Sequence, residues 1–277
     1  MAYSCSLKKL FEPFSLEAVP GLPEVQISGI AADSRQVQPG NLFVAVRGEN
    51  FDGHGFIRNA VEKGAAAVVG MEPKTELPVP YIRIKDTRRA LPHLAAAFYG
   101  FPARQLTIIG VTGTDGKTTT TNLIYQILLA AGFKAGMIST VNAVIGDMAL
   151  DTGFHVTTPD PIAVQNYLSR MVSAGLTHVV LEATSHGLSQ YRVDACEFDV
   201  AVITNVTHDH LDDHGSFENY RSAKARLFSM LAETAEKAYG NPRVAVLNRD
   251  DPSFDYFAEL VDNLPKVRRF SYGLTDQ

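Results

Sequence analysis

The chain is poor in cysteine and has no tryptophan: Cys5 and Cys196 are its only thiols in 277 residues. Two thiols cannot build a disulfide framework, and no Cys-x-x-Cys pair offers a thiolate metal site. That scarcity fits a reducing, cytoplasmic setting. Long apolar runs are missing as well. No stretch of 18 or more apolar residues occurs, so no transmembrane helix and no membrane insertion are expected. The segment Met1 to Phe14 mixes Lys8, Lys9 and Glu12 among apolar residues and lacks the apolar centre of a signal peptide. An excess of positive charge is also absent. The formal net charge is −5, which argues against a duplex nucleic-acid partner. Lys8-Lys9 and Arg268-Arg269 read as solvated surface.

What is present is a globular balance. Hydrophobic residues make up 45% and charged residues 20%, which excludes disorder and coiled coil. At roughly 150 residues per domain, the length predicts two. The front portion alternates strands and helices. Gln26 to Ala31, Asn41 to Arg47, Ala65 to Val69 and Tyr81 to Ile84 read as strands; Gly53 to Gly64 and Thr87 to Tyr99 read as helices. Gly100-Phe101-Pro102 stops the last helix and marks a linker, which sets the domains at 1–103 and 104–277.

The second portion opens on the apolar strand Leu106 to Val111, followed by a glycine-rich turn and a helix. Leu123, Ile124, Ile127, Leu128 and Ala131 would form that helix's apolar face, with Gly132 closing it. Apolar runs at Ala135 to Ser139, His178 to Leu181, Val200 to Thr204 and Val244 to Leu247 follow, separated by helical stretches at about 161–174 and 217–238. The pattern predicts an α/β protein: a small N-terminal α/β domain, then a P-loop domain with a doubly wound, mostly parallel sheet.

The turn between strand and helix reads Gly110-Val-Thr-Gly113-Thr114-Asp115-Gly116-Lys117-Thr118-Thr119. Glycines let backbone amides approach phosphate oxygens closely, and the helix N-terminus adds a favourable dipole. Lys117 supplies a point charge for the β and γ phosphates, and Thr118 a hydroxyl for Mg²⁺. The spacing departs from the common P-loop, because Val111 stands where the first glycine of that pattern falls.

Val179-Val180-Leu181-Glu182 is a buried strand ending in a carboxylate. Ligands in open α/β sheets sit outside the carboxyl ends of strands, so Glu182 falls near the phosphate loop as a Mg²⁺ ligand. After the strand Val200 to Asn205, the segment His208 to His214 holds three histidines and three aspartates. Zinc is conceivable there, but Mg²⁺–nucleotide chemistry is the simpler reading. Ser216 is an N-cap residue. Tyr220, Ala223 and Leu227 share the next helix's packed face, and Lys224 lies beside them; spacing alone makes it a snorkelling lysine.

Together these residues resemble the Mur ligase family of ATP-dependent peptidoglycan enzymes. Gly113-Thr-Asp-Gly-Lys-Thr118 is similar to the family's nucleotide loop, with Asp115 where asparagine is common. Thr157-Thr158-Pro159, Glu182-Ala-Thr-Ser-His186-Gly-Leu-Ser-Gln190-Tyr-Arg192, Asp209-His-Leu-Asp212 and Tyr220-Arg-Ser-Ala-Lys224 match further motifs. Asp33-Ser34-Arg35, Pro39-Gly40-Asn41-Leu42-Phe43-Val44-Ala45 and Asp52-Gly53-His54 resemble its uridine-nucleotide domain. With Ser185-His186-Gly187-Leu188 they point to the MurE type, which adds the third amino acid, meso-diaminopimelate or L-lysine, to UDP-MurNAc-L-Ala-D-Glu.

The resemblance implies roles. Gly113, Thr114, Asp115, Gly116, Lys117, Thr118 and Thr119 would hold ATP phosphates, and Asn205 would approach the adenine. Thr118, Glu182, His210 and Lys224, the last as carbamyl-lysine, would bind Mg²⁺. Lys117, Glu182, His210 and Lys224 would be the catalytic set. Ser34 and His54 would contact the uridine diphosphate; Thr157, Thr158, Thr184, Ser185, Gln190 and Arg192 would hold the muramoyl-dipeptide. Ala183-Thr184 replaces the Val-Ser usual there, keeping a hydroxyl. The implied partners are UDP-MurNAc-dipeptide and a diamino acid. The family also carries a third domain bearing the amino-acid site. A chain stopping at Gln277 would lack it, which leaves a nucleotide- or UDP-sugar-binding module without ligase activity as the alternative. A folylpolyglutamate-synthetase-like ligase is less favoured by the Ser34/His54 segment, and a zinc hydrolase less still.

Overall fold

The computed structural model describes residues 3–12, 21–48, 51–73, 76–151, 158–207 and 214–274. The chain divides into two compact units, Met1–Phe101 and Pro102–Gln277.

In the first unit, β1 (Cys5–Ser6) pairs antiparallel with β2 (Gln26–Ile27), and α1 (Leu7–Phe11) follows β1 directly. A second sheet is wholly parallel, in the order β3 (Gly29–Ala31), β4 (Asn41–Val44), β5 (Ala67–Gly70), β6 (Tyr81–Arg83). Every residue of β4 and β5 is buried, which explains their continuous apolar runs. The helices are α2 (Ile57–Glu62) and α3 (Thr87–Phe98). Two sequence readings change here. The single strand expected over Gln26 to Ala31 is two short strands in different sheets, broken at Ser28, whose hydroxyl bonds the Pro39 carbonyl. The helix expected from Gly53 begins as a 3-10 turn, Gly53–Phe56, because the Asp52 carboxylate caps the His54 amide at 3.0 Å.

The second unit is built on eight strands in the order β10-β9-β8-β11-β7-β12-β13-β14. These are β7 (Thr107–Thr112), β8 (Ala135–Ile138), β9 (Asn142–Ile145), β10 (Met148–Asp151), β11 (His178–Glu182), β12 (Val200–Ile203), β13 (Val244–Asn248) and β14 (Arg268–Tyr272). Six run parallel; β9 and β10 form an antiparallel hairpin at one edge. The helices are α4 (Lys117–Ala130), α5 (Pro161–Ser173), α6 (Ser185–Ser189), α7 (Phe217–Glu233) and α8 (Phe254–Asp262). The fold is α/β with a doubly wound, mostly parallel sheet. The chain leaves β7 for β8, returns to β11 on one flank, then crosses to β12 on the other. The crevice of such a reversal lies at the carboxyl end of β7, where the glycine-rich turn begins.

The hairpin was not legible as strands, although Gly146-Asp147 between short alternating segments is a hairpin signal. Helix α4 also packs differently from its pattern. It buries Thr121 and Tyr125 and leaves Leu123 58% and Ile127 66% exposed. Helix α7 ends at Glu233, short of the expected 238, and the loop after it turns inward.

That inward turn delivers an ion pair to the end of the sheet opposite the glycine-rich turn. The side chains of Lys237 and Asp199 are both 0% exposed and meet at 2.5 Å. Lys237 Nζ also donates to the Leu106 and Glu197 carbonyls, each at 2.8 Å. Asp199 accepts the Ile108 amide at 2.8 Å, which ties β7 to the start of β12. Burial pushes the Asp199 carboxyl up and the Lys237 ammonium down, each opposed by the other's charge. Losing one partner strands a buried charge. Lys237→Met is therefore expected to lower the unfolding free energy by about 3–5 kcal/mol, measured by urea denaturation; a loss below about 1 kcal/mol would show that the pair is not a structural pin.

Candidate functional site

The turn after β7 is held from one side by the residues that continue β12. Thr204 Oγ1 donates to the Asp115 carbonyl at 2.6 Å, and the Asn205 carbonyl accepts the Thr114 amide at 2.8 Å. Asn205 clasps Asp115 with both ends of its amide: Oδ1 accepts the Asp115 N–H at 2.9 Å and Nδ2 donates to its carbonyl at 3.2 Å. Val206 N–H in turn donates to the Asp251 carboxylate at 2.7 Å. This close packing requires Gly113, with φ 149°; a Cβ there would stand 1.8 Å from Thr204 Oγ1.

Helix α4 then starts at Lys117 with Gly116 as N-cap and no capping side chain. The first amides of a helix have no partner within it, so this end presents donors and the positive end of the dipole. Lys117 folds back, Nζ donating to the Thr114 carbonyl at 2.6 Å. Thr118 Oγ1 donates to Glu182 Oε2 at 3.0 Å, and the Thr140 amide donates to the same oxygen at 3.3 Å. Glu182 is 2% exposed. Burial pushes its carboxyl above the usual carboxylate range, against the bonds from Thr118 and Thr140 and the nearby Lys117 charge. A carboxylate and a hydroxyl sharing one spot beside an uncapped helix start are suited to a hard cation that accompanies phosphate. The backbone cradle at Gly113, sealed against any side chain, is suited to the phosphate itself.

Helix α7 reaches the same loop from below. Lys224 is 1% exposed, and its Nζ donates to the Gly113 carbonyl at 2.5 Å and lies 4.1 Å from the centre of the Tyr220 ring. The snorkelling reading is therefore corrected: the ammonium points inward, because the loop carbonyl and the ring replace its water. Tyr220 OH also bonds Thr114 Oγ1 at 3.0 Å.

A second group gathers beyond Glu182. Thr184 caps α6, accepting the Gly187 amide at 3.0 Å, and bonds Thr158 Oγ1 at 3.0 Å. Gly187 has no room for a side chain, since a Cβ would lie 2.6 Å from Thr158 Oγ1. Arg192 donates to the Thr158 carbonyl at 2.7 Å and to Gln190 Oε1 at 2.6 and 3.1 Å. Ser185 is buried at the start of α6.

Residues 111–277 match the model of the Mur ligase middle domain, and residues 26–99 that of the Mur ligase family catalytic domain. The chain belongs to the Mur ligase family. It is 47% identical over 259 residues to the UDP-N-acetylmuramyl-tripeptide synthetase of Roseiflexus sp. (strain RS-1), covering 91% of this chain and 50% of that protein. It is 46% identical over 234 residues to the UDP-N-acetylmuramoyl-L-alanyl-D-glutamate--2,6-diaminopimelate ligase of Geobacillus thermodenitrificans (strain NG80-2), covering 84% and 47%. A solved structure of a UDP-N-acetylmuramoyl-L-alanyl-D-glutamate--2,6-diaminopimelate ligase superposes with a TM-score of 0.78 at 31% identity, over 100% of this chain and 53% of that one. The chain spans about half the length of the curated relatives it matches.

In this Mur ligase chain the second unit gathers Gly113 to Thr119, Glu182, Asn205 and Lys224 around one loop, and Thr158, Thr184, Ser185, Gln190 and Arg192 into one adjoining group. His210 and Thr157 lie outside the described residues, as do His208, Asp209, Asp212 and Asp213. Asn205, expected to approach an adenine, spends both ends of its amide on Asp115. Thr204, Tyr220 and Asp251 were missed as loop supports. Their signal was positional only: Thr204 continues the strand beside the phosphate-loop strand.

The first unit carries its own cavity, of about 470 Å³, lined by residues that include Asp33, Ser34, Arg35, Phe43 and Phe56. Ser34 lines this cavity, whereas His54 is not among its lining residues. His54 Nε2 accepts the Met71 amide at 2.8 Å, so Nδ1 carries the proton and donates to Asp52 at 2.5 Å. The histidine braces the loop that forms the cavity wall. The His54 amide, the His54 ring and Arg47 hold the Asp52 carboxyl down at about 2.

Two outcomes follow. Gly113→Ala is expected to abolish detectable nucleotide binding in calorimetry, and wild-type affinity in that variant would refute the cradle. For Asp52, a value below the ordinary 3.9 or so means that its stabilising contribution is whole above about pH 4 and is lost as pH falls towards about 2. An acid-unfolding titration should therefore show a shallower loss over that window for Asp52→Asn than for the wild type.

Proposed function

We propose that this chain is the substrate- and nucleotide-holding part of an ATP-dependent ligase that adds a third amino acid to UDP-MurNAc-L-Ala-D-Glu. The amino acid would be a diamino acid, 2,6-diaminopimelate being the one named in the Geobacillus relative. The observation that supports it most is the sealed backbone cradle at Gly113 beside the buried Thr118–Glu182 pair. Family membership and the adjoining Thr158–Thr184–Arg192 group support it further.

In this reading, the amides at the start of α4, rather than those of Thr114 and Asp115 that Asn205 already takes, hold the β and γ phosphates of ATP together with Lys117. Thr118, Glu182, Lys224 and, outside the described residues, His210 would hold Mg²⁺, which supplies positive charge where phosphate charge develops. Lys224 would serve as a metal ligand only as a carbamate. Thr158, Thr184, Ser185, Gln190 and Arg192 orient the muramoyl-dipeptide, Arg192 being suited to a carboxylate. Thr157, also outside the described residues, would join them. The D-glutamate carboxylate attacks the γ-phosphorus and releases ADP, giving an acyl phosphate. The incoming amine attacks its carbonyl carbon, and the tetrahedral intermediate expels phosphate and loses a proton as the amide forms. Positioning and electrostatics supply the acceleration. Ser34 and the first unit's cavity would take the uridine diphosphate end.

The test is calorimetric. The 277-residue chain should bind both UDP-MurNAc-L-Ala-D-Glu and a non-hydrolysable ATP analogue with Mg²⁺. Lys117→Ala and Glu182→Ala should each weaken the analogue by about tenfold or more while leaving the UDP-linked dipeptide unaffected. Undiminished analogue binding in both variants would sink the nucleotide assignment; no binding of the dipeptide by the wild type would sink the ligase reading.

A further inference from the structure

At the end of the sheet opposite the phosphate loop, a cavity of about 290 Å³ lies among Glu236, Lys237, Gly240, Asn241, Arg243 and Lys266. Two of its polar residues are committed to the fold. Lys237 Nζ donates to Asp199 and two carbonyls. Asn241 donates to the Ala235 carbonyl and Asp199 and accepts the Lys237 amide.

Arg243 is different. It is 8% exposed, yet it donates only from Nη2, to the Thr234 carbonyl at 2.7 Å, and its sealed Nε meets no acceptor among the described residues. The carboxylates of this end of the sheet pair with other cations: Asp199 with Lys237, Glu197 through Oε1 with Arg104 at 2.8 Å while its Oε2 is buried without a hydrogen bond among the described residues, and Glu236 with Lys266 at 3.7 Å. A guanidinium does not shed its proton, so this cavity wall carries a largely buried positive charge that forms no ion pair among the described residues. The cavity's second cation, Lys266, is exposed and shares only that long contact with an equally exposed Glu236.

The backbone points the same way. Arg243 and Lys266 both have left-handed φ, 45° and 62°, a region that side-chain-bearing residues seldom adopt. The Arg268 amide donates to the Arg243 carbonyl at 2.8 Å, which fixes the start of β14 against that of β13. Two cationic residues on one cavity wall are thus both held in costly backbone, the kind of strain that persists at binding sites.

We propose that this cavity binds a small oxyanion of the phosphate class. Arg243 and Lys266 supply the donors, and Glu236 competes internally for Lys266. The site is independent of the phosphate loop, from which it is separated by the length of the strands.

The experiment is titration calorimetry of inorganic phosphate into the 277-residue chain at fixed ionic strength. It is done in the Lys117→Ala background, so that the phosphate loop does not dominate the signal. That parent should bind phosphate. Adding Arg243→Met should weaken binding by about tenfold or more, and Lys266→Met by several-fold. Glu236→Gln, at an exposed position, should tighten it. A Lys117→Ala parent that binds no phosphate overturns the proposal. So does binding that neither Lys266→Met nor Glu236→Gln alters, and these two surface changes decide the matter even if Arg243→Met fails to fold.

Discussion

The clasp between Asn205 and Asp115 is the interaction on which the nucleotide side of this molecule depends. A glycine-rich turn is by itself a mobile piece of backbone, and ordering it costs conformational entropy. Here the cost is met by neighbouring strand ends. β12 lies beside β7 in parallel register, so the residues that continue it, Thr204 and Asn205, arrive level with the turn and bond its backbone. Helix α7 adds Tyr220 on Thr114 and Lys224 on the Gly113 carbonyl. The loop's carbonyls are thereby turned towards protein donors, which leaves its opposite side to anions.

The two ends of the central sheet serve different needs. At the amino ends of the strands, a fully buried ion pair with its hydrogen bonds satisfied ties β7 and β12 to the loop after α7. At the carboxyl ends, Glu182 is almost as buried, but one of its oxygens, Oε2, takes both a hydroxyl and an amide, and it forms no ion pair among the described residues. One arrangement is closed and structural. The other holds a carboxyl whose proton affinity burial raises against two hydrogen bonds and the Lys117 charge, a condition common among groups kept for a ligand.

Much of this was legible in the residues. The strand, glycine turn and helix from Leu106 onward stand where the pattern predicts them, and the apolar run ending at Glu182 puts that carboxylate at a strand end. Elements that depend on partners were less legible. Leu123 and Ile127 read as core because spacing reports a helix face but not what covers it. Lys224 read as a surface lysine because a buried ammonium becomes tolerable only once the Gly113 carbonyl and the Tyr220 ring stand beside it. At His54, a motif gives the residue type but not the Met71 amide and the Asp52 carboxylate that its two ring nitrogens meet. Arg243 gave no signal at all; its isolation follows from a loop that folds inward only in three dimensions.

Strand β14 lies at the edge of its sheet, and all five of its residues are exposed, Phe270 and Tyr272 among them. An edge of this kind is a template for another strand, and aromatic residues on it would favour pairing between copies. Arg268 and Arg269 open the same strand. A second copy aligning parallel and in register would bring Arg268 against its counterpart, at a cost that rises as salt is removed, while Arg269 is already paired with Asp262 at 2.9 Å. The charge that this edge carries therefore disfavours such parallel pairing most in dilute buffer.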